Sequence, residues 1–322
     1  MRILIFGAGT IGLSYAWLLS DKHDVSVYVR PEKQENAYET YSISAQDLRK
    51  EKSYAFKFSP NLVTDLTAEY DLIIVTVNRC QLLKSLPILK INKKNANILF
   101  MLNHWDITTE IEKYFTKEEY LLGFPSQVGG GKQDDKLDIV VFTEGTILGI
   151  QTPEQKKLIY AYKEEFEAAD LHVTIQEHLV DWLKVHYLQL AIRAGAILKA
   201  GGFEAFSTNS KAISEMIVAC REGLKVCEAS GVATKKLLPA RIFYYPKAIV
   251  TPFMKHLFQN NETTKLIEYY MQNGLSEWIY GYQEVLKAGE DLMIPMPTWR
   301  SYEAYVADYI SQHPKLEAVL QK

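Results

Sequence analysis

The sequence predicts an α/β protein in two parts: a doubly wound, mostly parallel sheet over residues 1–176, then an all-helical domain over residues 177–322. Three observations predict it. The chain opens on the β-branched run RILIF, which passes straight into a glycine turn and a helix. Short apolar runs of strand length then alternate with helical stretches to about residue 176, the rhythm of a parallel sheet. From there on the periodicity is helical throughout.

Composition sets the outer limits. A chain of 322 residues has room for two cores. With 48% hydrophobic and 23% charged residues it reads as an ordinary globular protein, and a net charge of −3 makes no electrostatic case for nucleic acid or an anionic membrane. Cys80, Cys220 and Cys227 lack ligand-like spacing, and their odd count fits reduced thiols. MRILIFGAG is followed by no signal-peptide cleavage site, and no apolar run reaches the length of a membrane span. The expectation is a cytoplasmic protein with a small-molecule partner and no nucleic acid, membrane or metal. A homodimer is compatible with it.

RILIF, an apolar run, suits a strand buried on both faces. It leads into GAGTIG, with Gly7, Gly9 and Gly12 at G-x-G-x-x-G spacing, and LSYAWLLS continues as a helix before the strand VSVYVR. In that context each glycine has its own role. Gly7 permits the tight turn, Gly9 lets backbone approach a pyrophosphate, and Gly12 brings helix and strand together. Thr10 and Ile11 open the helix, where free N–H groups favour phosphate. The pattern predicts a Rossmann-type dinucleotide site. Arg30 stands near the end of the second strand, where an NAD site carries an acid for the ribose 2′-OH; a guanidinium there suits a 2′-phosphate, and Lys33 adds charge. Glu32 argues the other way. NADP(H) is the predicted cofactor.

DLIIVTVN ends at Asn78 and NILFMLN at Asn103. Ligands of open parallel sheets bind beyond the carboxyl ends of the strands, so Asn78, Arg79, Gln81 and Asn103 fall on the edge that meets nicotinamide or substrate. Asn is also a common turn residue, and for Asn78 both readings stay open. YLLGFP is a further strand, SQVGGGKQDDK a loop near the site, IVVF and TILGI a hairpin around Glu144-Gly145, and LHVTIQ the last strand.

Helical stretches follow near 178–200, 209–230, 235–258 (which Pro239, Pro246 and Pro252 must break or kink), 262–287 (with a break at Asn273-Gly274) and 298–312. On a wheel of the first, His178, Asp181, His186, Gln189 and Arg193 share a polar arc. Lys184 instead joins Val180, Leu188, Ala191, Gly195 and Leu198. An ammonium there either snorkels back to Asp181 or serves chemistry.

FGAGTIG, the strand-end Asn103 and WLKV opening the helical domain together resemble the ketopantoate reductase family, which reduces 2-dehydropantoate with NADPH on a Rossmann domain joined to a helical one. The resemblance spans essentially the whole chain, with the glycine motif its sharpest part. It implies that Lys184 is the catalytic lysine, that Asn103 lies beside nicotinamide and substrate, and that Arg30 holds the 2′-phosphate. It also shows departures. Asn78 stands where the family usually has a substrate-binding lysine, though Gln81 is kept. Leu188 and Ile192 replace two asparagines. Leu275 takes the place of a substrate-binding Glu, with Glu277 two residues on, and the family's substrate-binding serine has no counterpart. Arg79 offers a substitute carboxylate anchor. The expectation is an NADPH-dependent reductase of a 2-oxo acid with a rewritten, more apolar pocket. A dehydrogenase joining an amino acid to a keto acid and a non-catalytic NADP(H) sensor are the alternatives.

Overall fold

RILIF becomes β1 (Arg2–Phe6), buried from Ile3 onward, and the other apolar runs assemble around it. In chain order the remaining strands are β2 (Asp24–Tyr28), β3 (Tyr41–Asp47), β4 (Lys52–Phe58), β5 (Asn61–Val63), β6 (Leu72–Val75), β7 (Asn97–Met101) and β8 (Tyr120–Phe124). β9 (Val128–Gln133), β10 (Lys136–Val141), β11 (Thr146–Gly149) and β12 (Val173–Gln176) complete the set. The computed structural model describes residues 1–260, 264, 267, 271 and 274–314. They divide into two units: residues 1–103 with 107–180, and residues 104–106 with 181 onward.

The first unit carries an eight-stranded sheet in the order β12-β11-β8-β7-β6-β1-β2-β5, parallel except where β11 meets β8. α1 (Thr10–Leu19), α2 (Arg79–Asn92), α3 (Ile107–Ile111) and α4 (Lys156–Ala168) belong to it. The central strands β1, β6 and β7 read as unbroken apolar runs because each is buried along nearly its whole length. β2 lies on one side of β1 and β6 on the other, so the strand order reverses there, which opens a crevice at the carboxyl edge.

A second sheet, β4-β3-β10-β9, corrects two expectations. IVVF does not form a hairpin with TILGI. It lies in β10, antiparallel to β9 and parallel to β3, while TILGI enters the large sheet as β11. The glycines of SQVGGGKQDDK are not a loop but the body of β9. Gly130 has φ +145°, and a Cβ there would lie 2.1 Å from the Asp138 carbonyl, so close strand approach accounts for this glycine.

In the second unit the helices are α5 (Leu179–Ala200, whose first two residues belong to the first unit), α6 (Phe203–Thr208), α7 (Ser210–Ala229), α8 (Leu238–Arg241) and α9 (Lys247–Phe258). α10 (Leu275–Asp291), α11 (Pro297–Arg300) and α12 (Glu303–Ser311) follow. Two of the three prolines act as expected on the third predicted stretch, since Pro239 opens α8 and Pro246 caps α9, whereas Pro252 lies inside α9 without ending it. Most of residues 262–273, the first part of the predicted stretch 262–287, lies outside the described residues. Small residues allow the helices to close: Gly223 of α7 receives Leu188 of α5, and Gly281 of α10 receives Tyr187. Cys220 and Cys227 are buried between them in the same core. Buried Glu222 accepts hydrogen bonds from the Thr298 and Trp299 amides at 3.1 and 2.9 Å, which holds the start of α11.

Candidate dinucleotide site and the lysine of the helical unit

The glycine turn has the close packing its spacing predicts. Gly7 sits at φ +136°, and the Thr76 hydroxyl at the end of β6 donates to its carbonyl at 3.1 Å. A Cβ on Gly12 would lie 1.8 Å from the same carbonyl. Gly9 is different. A Cβ there would meet nothing within 4 Å, so open space lies beside the backbone where a pyrophosphate must approach. Gly9 caps α1 without any side-chain hydrogen bond, which leaves the first-turn N–H groups, those of Thr10 and Ile11 among them, without a side-chain cap.

The neighbouring strand ends add to this edge. Asn103 follows β7, and its Oδ1 is buried without a hydrogen-bond partner. A buried carbonyl oxygen left open costs free energy unless a ligand donor reaches it, so Asn103 fits a carboxamide N–H. Asn78 serves its own helix. It caps α2, accepting from the Gln81 amide at 3.1 Å. Arg79 and Gln81 occupy the first turn of that helix, both partly exposed. Arg30 is 35% exposed after β2 and pairs with Glu32 at 3.4 Å, so its guanidinium is shared with a carboxylate. The open turn, the uncapped helix and the orphaned oxygen all fit a dinucleotide.

In the helical unit Lys184 has a partner that the sequence did not single out. Its ammonium donates to Asp106 at 3.0 Å and lies 4.7 Å over the Trp105 ring; its side chain is 14% exposed. The expected fallback partner, Asp181, is not in ion-pair contact. The short HWD segment 104–106 is itself braced, since the Asp106 amide donates to His104 Nδ1 at 2.9 Å. Trp105 leads on to Tyr187, ring centroids 6.2 Å apart, and the Tyr187 hydroxyl donates to Glu284. The one signal in the sequence was the apolar run's abrupt change to NHWD after β7; the contact spans 78 residues.

The other helical candidates separate. Leu188 is fully buried and packs on Gly223, so core packing accounts for it. Ile192 is buried too. Glu277, in the first turn of α10, keeps an exposed side chain, yet surrounding protein pushes its carboxyl pKa upward. Among the described residues no cluster of His, Cys, Asp and Glu could hold a metal ion, and no helix is long and apolar enough to cross a membrane.

A parallel sheet with an open glycine turn, joined to a separate helical unit, defines a dinucleotide-binding protein of the Rossmann class. Residues 3–148 match the family model of ketopantoate reductase PanE/ApbA. A 2-dehydropantoate 2-reductase of Bacillus subtilis is 28% identical over 138 residues, which is 43% of this chain and 45% of the relative; one of Listeria monocytogenes is 24% identical over 135. The chain thus spans less than half the length of the curated relatives it matches. In fold the likeness is longer. It reaches TM-score 0.70 with D-mandelate dehydrogenase bound to NADH and anilino(oxo)acetate, at 15% identity and covering 99% of both chains. It reaches 0.69 with a 2-dehydropantoate 2-reductase of Geobacter metallireducens, at 16% identity, covering 96% of this chain and 100% of that one. Residues 3–148 therefore resemble the ketopantoate reductase family in sequence, and the chain shares the fold of its solved members over its length.

Proposed function

We propose that the chain is an NADPH-dependent reductase of a 2-oxo acid other than ketopantoate, with Lys184 as its general acid. The observation that carries this reading is the Lys184 ammonium, largely enclosed, set over Trp105 and supplied with a counter-charge by Asp106. A lysine so held can face a negative oxygen with its geometry already fixed. Bound dinucleotide supplies the hydride. Lys184 stabilises the oxyanion that grows on the carbonyl and gives it a proton, so that C=O becomes CH–OH. Asn103 offers its open Oδ1 to the nicotinamide carboxamide, and Arg30 serves the 2′-phosphate once it exchanges Glu32 for the ligand.

The side chains on α5 support a substrate other than pantoate's precursor. Leu188 and Ile192 are apolar and buried where the family's asparagines stand, which removes polar contacts suited to pantoate. The fold likeness to D-mandelate dehydrogenase supports a 2-oxo acid with an apolar substituent, and Arg79 is the carboxylate anchor in this reading. A homodimer belongs to the proposal, because a structural neighbour from Staphylococcus aureus is described as a dimeric ketopantoate reductase. The deciding experiment is NADPH oxidation with a panel of 2-oxo acids, run with and without amino acids. Turnover without an amine is expected, ketopantoate being among the poorest substrates. Lys184→Ala should lower kcat by about 10²–10⁴-fold with NADPH affinity intact. Full activity in that variant, or activity that requires an amino acid, would overturn the proposal.

A further inference from the structure

The stretch expected to form a flexible glycine loop instead delivers a cation to the dinucleotide turn. Val128, Gly130 and Lys132 alternate onto one face of β9. Lys132 ends beside the glycine motif, with its ammonium donating to the Ala8 carbonyl at 3.3 Å and lying 5.1 Å over the Tyr41 ring. Both contacts lie within the sheet unit. Neither partner is anionic. Among the described residues no carboxylate comes within ion-pair distance, and burial pushes the lysine pKa downward with nothing to offset it.

A half-buried ammonium without a counter-ion is unfavourable in the free protein. Its position explains why it is tolerated. Ala8 lies between Gly7 and Gly9, the loop faces open space at Gly9, and α1 presents first-turn N–H groups with no side-chain cap. Helix N–H groups contribute only partial charge, whereas a pyrophosphate carries full negative charge. We propose that Lys132 is the counter-charge for the pyrophosphate of the bound dinucleotide, a binding residue supplied by β9 rather than by the glycine motif. The inference rests on the dinucleotide reading of that motif. Lys132 then contributes equally to every ligand with an adenosine diphosphate core, while Arg30 distinguishes those with a 2′-phosphate.

Titration of NADPH, NADH and ADP-ribose by fluorescence or calorimetry, with no substrate present, tests this. Lys132→Met keeps the stem and removes the charge. It should weaken all three ligands by a common factor, roughly 10- to 100-fold for a charge-assisted contact. The melting temperature of the free protein should not fall, because an uncompensated buried charge has been removed. Lys132→Arg should restore most of the affinity. Arg30→Ala should weaken NADPH alone. Should Lys132→Met not fold, Lys132→Gln is read in the same way. Wild-type affinity in the neutral variant, or a loss confined to NADPH, would overturn the assignment. A wild type that binds none of the three would overturn the dinucleotide reading itself.

Discussion

The sheet unit leaves polar groups open at its carboxyl edge, whereas the helical unit closes those around Lys184. At the carboxyl edge of the sheet, Asn103 Oδ1 has no partner, Gly9 borders empty space, and Lys132 has no anion. In the helical unit Lys184 already holds Asp106, Leu188 is locked against Gly223, and Tyr187 holds Glu284. Unsatisfied groups are costly, so they persist where a ligand completes them. Under the proposed function, the contrast fits a sheet unit that awaits its cofactor and a helical unit whose contacts are already made.

The largest expected effect strikes the open region at its narrowest point. In Gly12→Ala the new Cβ would stand 1.8 Å from the Gly7 carbonyl and 2.6 Å from the Thr76 hydroxyl. Backbone must move, and the cost is about 3 kcal/mol or more. The turn would lose its shape, so dinucleotide binding should vanish together with a clear drop in the denaturation midpoint. Gly9→Ala meets no atom and is the control: it should fold normally while crowding only the ligand. Equal melting temperatures for Gly12→Ala and wild type would show that the turn is not as tight as this.

How well each region reads from sequence follows from the range of its contacts. The glycine turn is local, with strand, turn and helix consecutive, so GAGTIG predicts its own geometry. Pairing across the second sheet is not local. Tyr41, Ile43 and Ala45 alternate inward on β3 as a strand should, yet β3 finds β10 94 residues later, Ser42 pairing with Lys136. The glycines of β9 look like loop residues because their reason, the close Asp138 carbonyl, is on another strand. Lys184 was visible as an anomaly on its helix, but Asp106 was not visible as its answer.

Acid should separate the two regions next. His186 on α5 stacks under Trp182, centroids 4.8 Å apart, and its pKa is pushed down to about 3, chiefly by burial and then by Arg193. A base with a depressed folded pKa favours the unfolded chain once that chain begins to protonate. Its stabilising share is therefore complete above about pH 6.5 and lost progressively as pH falls towards 3. Since the ring is partly exposed, the loss should be on the order of 2 kcal/mol rather than the full linkage value. His186→Gln should flatten the acid limb of a pH–stability curve between pH 6.5 and 4, measured by denaturant unfolding. An unchanged limb would mean that carboxylates such as Asp47, held low against burial by Arg49 in the sheet unit, govern acid sensitivity instead.

The smallest effect sharpens the closed region. Lys184 could in principle be satisfied by either of two aspartates. Asp181 is the one a helical wheel selects, and it lies close enough to act on the Cys227 thiol together with Lys184. Asp106 is the one in contact, at 3.0 Å. A pair with one member 51% exposed and the other largely enclosed should be worth about 0.5–1 kcal/mol. Asp106→Asn should therefore cost that much in urea unfolding, with most of the loss screened away at high salt. Asp181→Asn should stay within about 0.3 kcal/mol of wild type, since it breaks no ion pair. The same variants bear on chemistry: if Asp106 positions the ammonium, Asp106→Glu should recover part of the kcat that Asp106→Asn loses, while KM stays near its original value. Equal costs for the two Asn variants would restore Asp181 as a partner and remove the reason for treating the HWD segment as part of the lysine's setting.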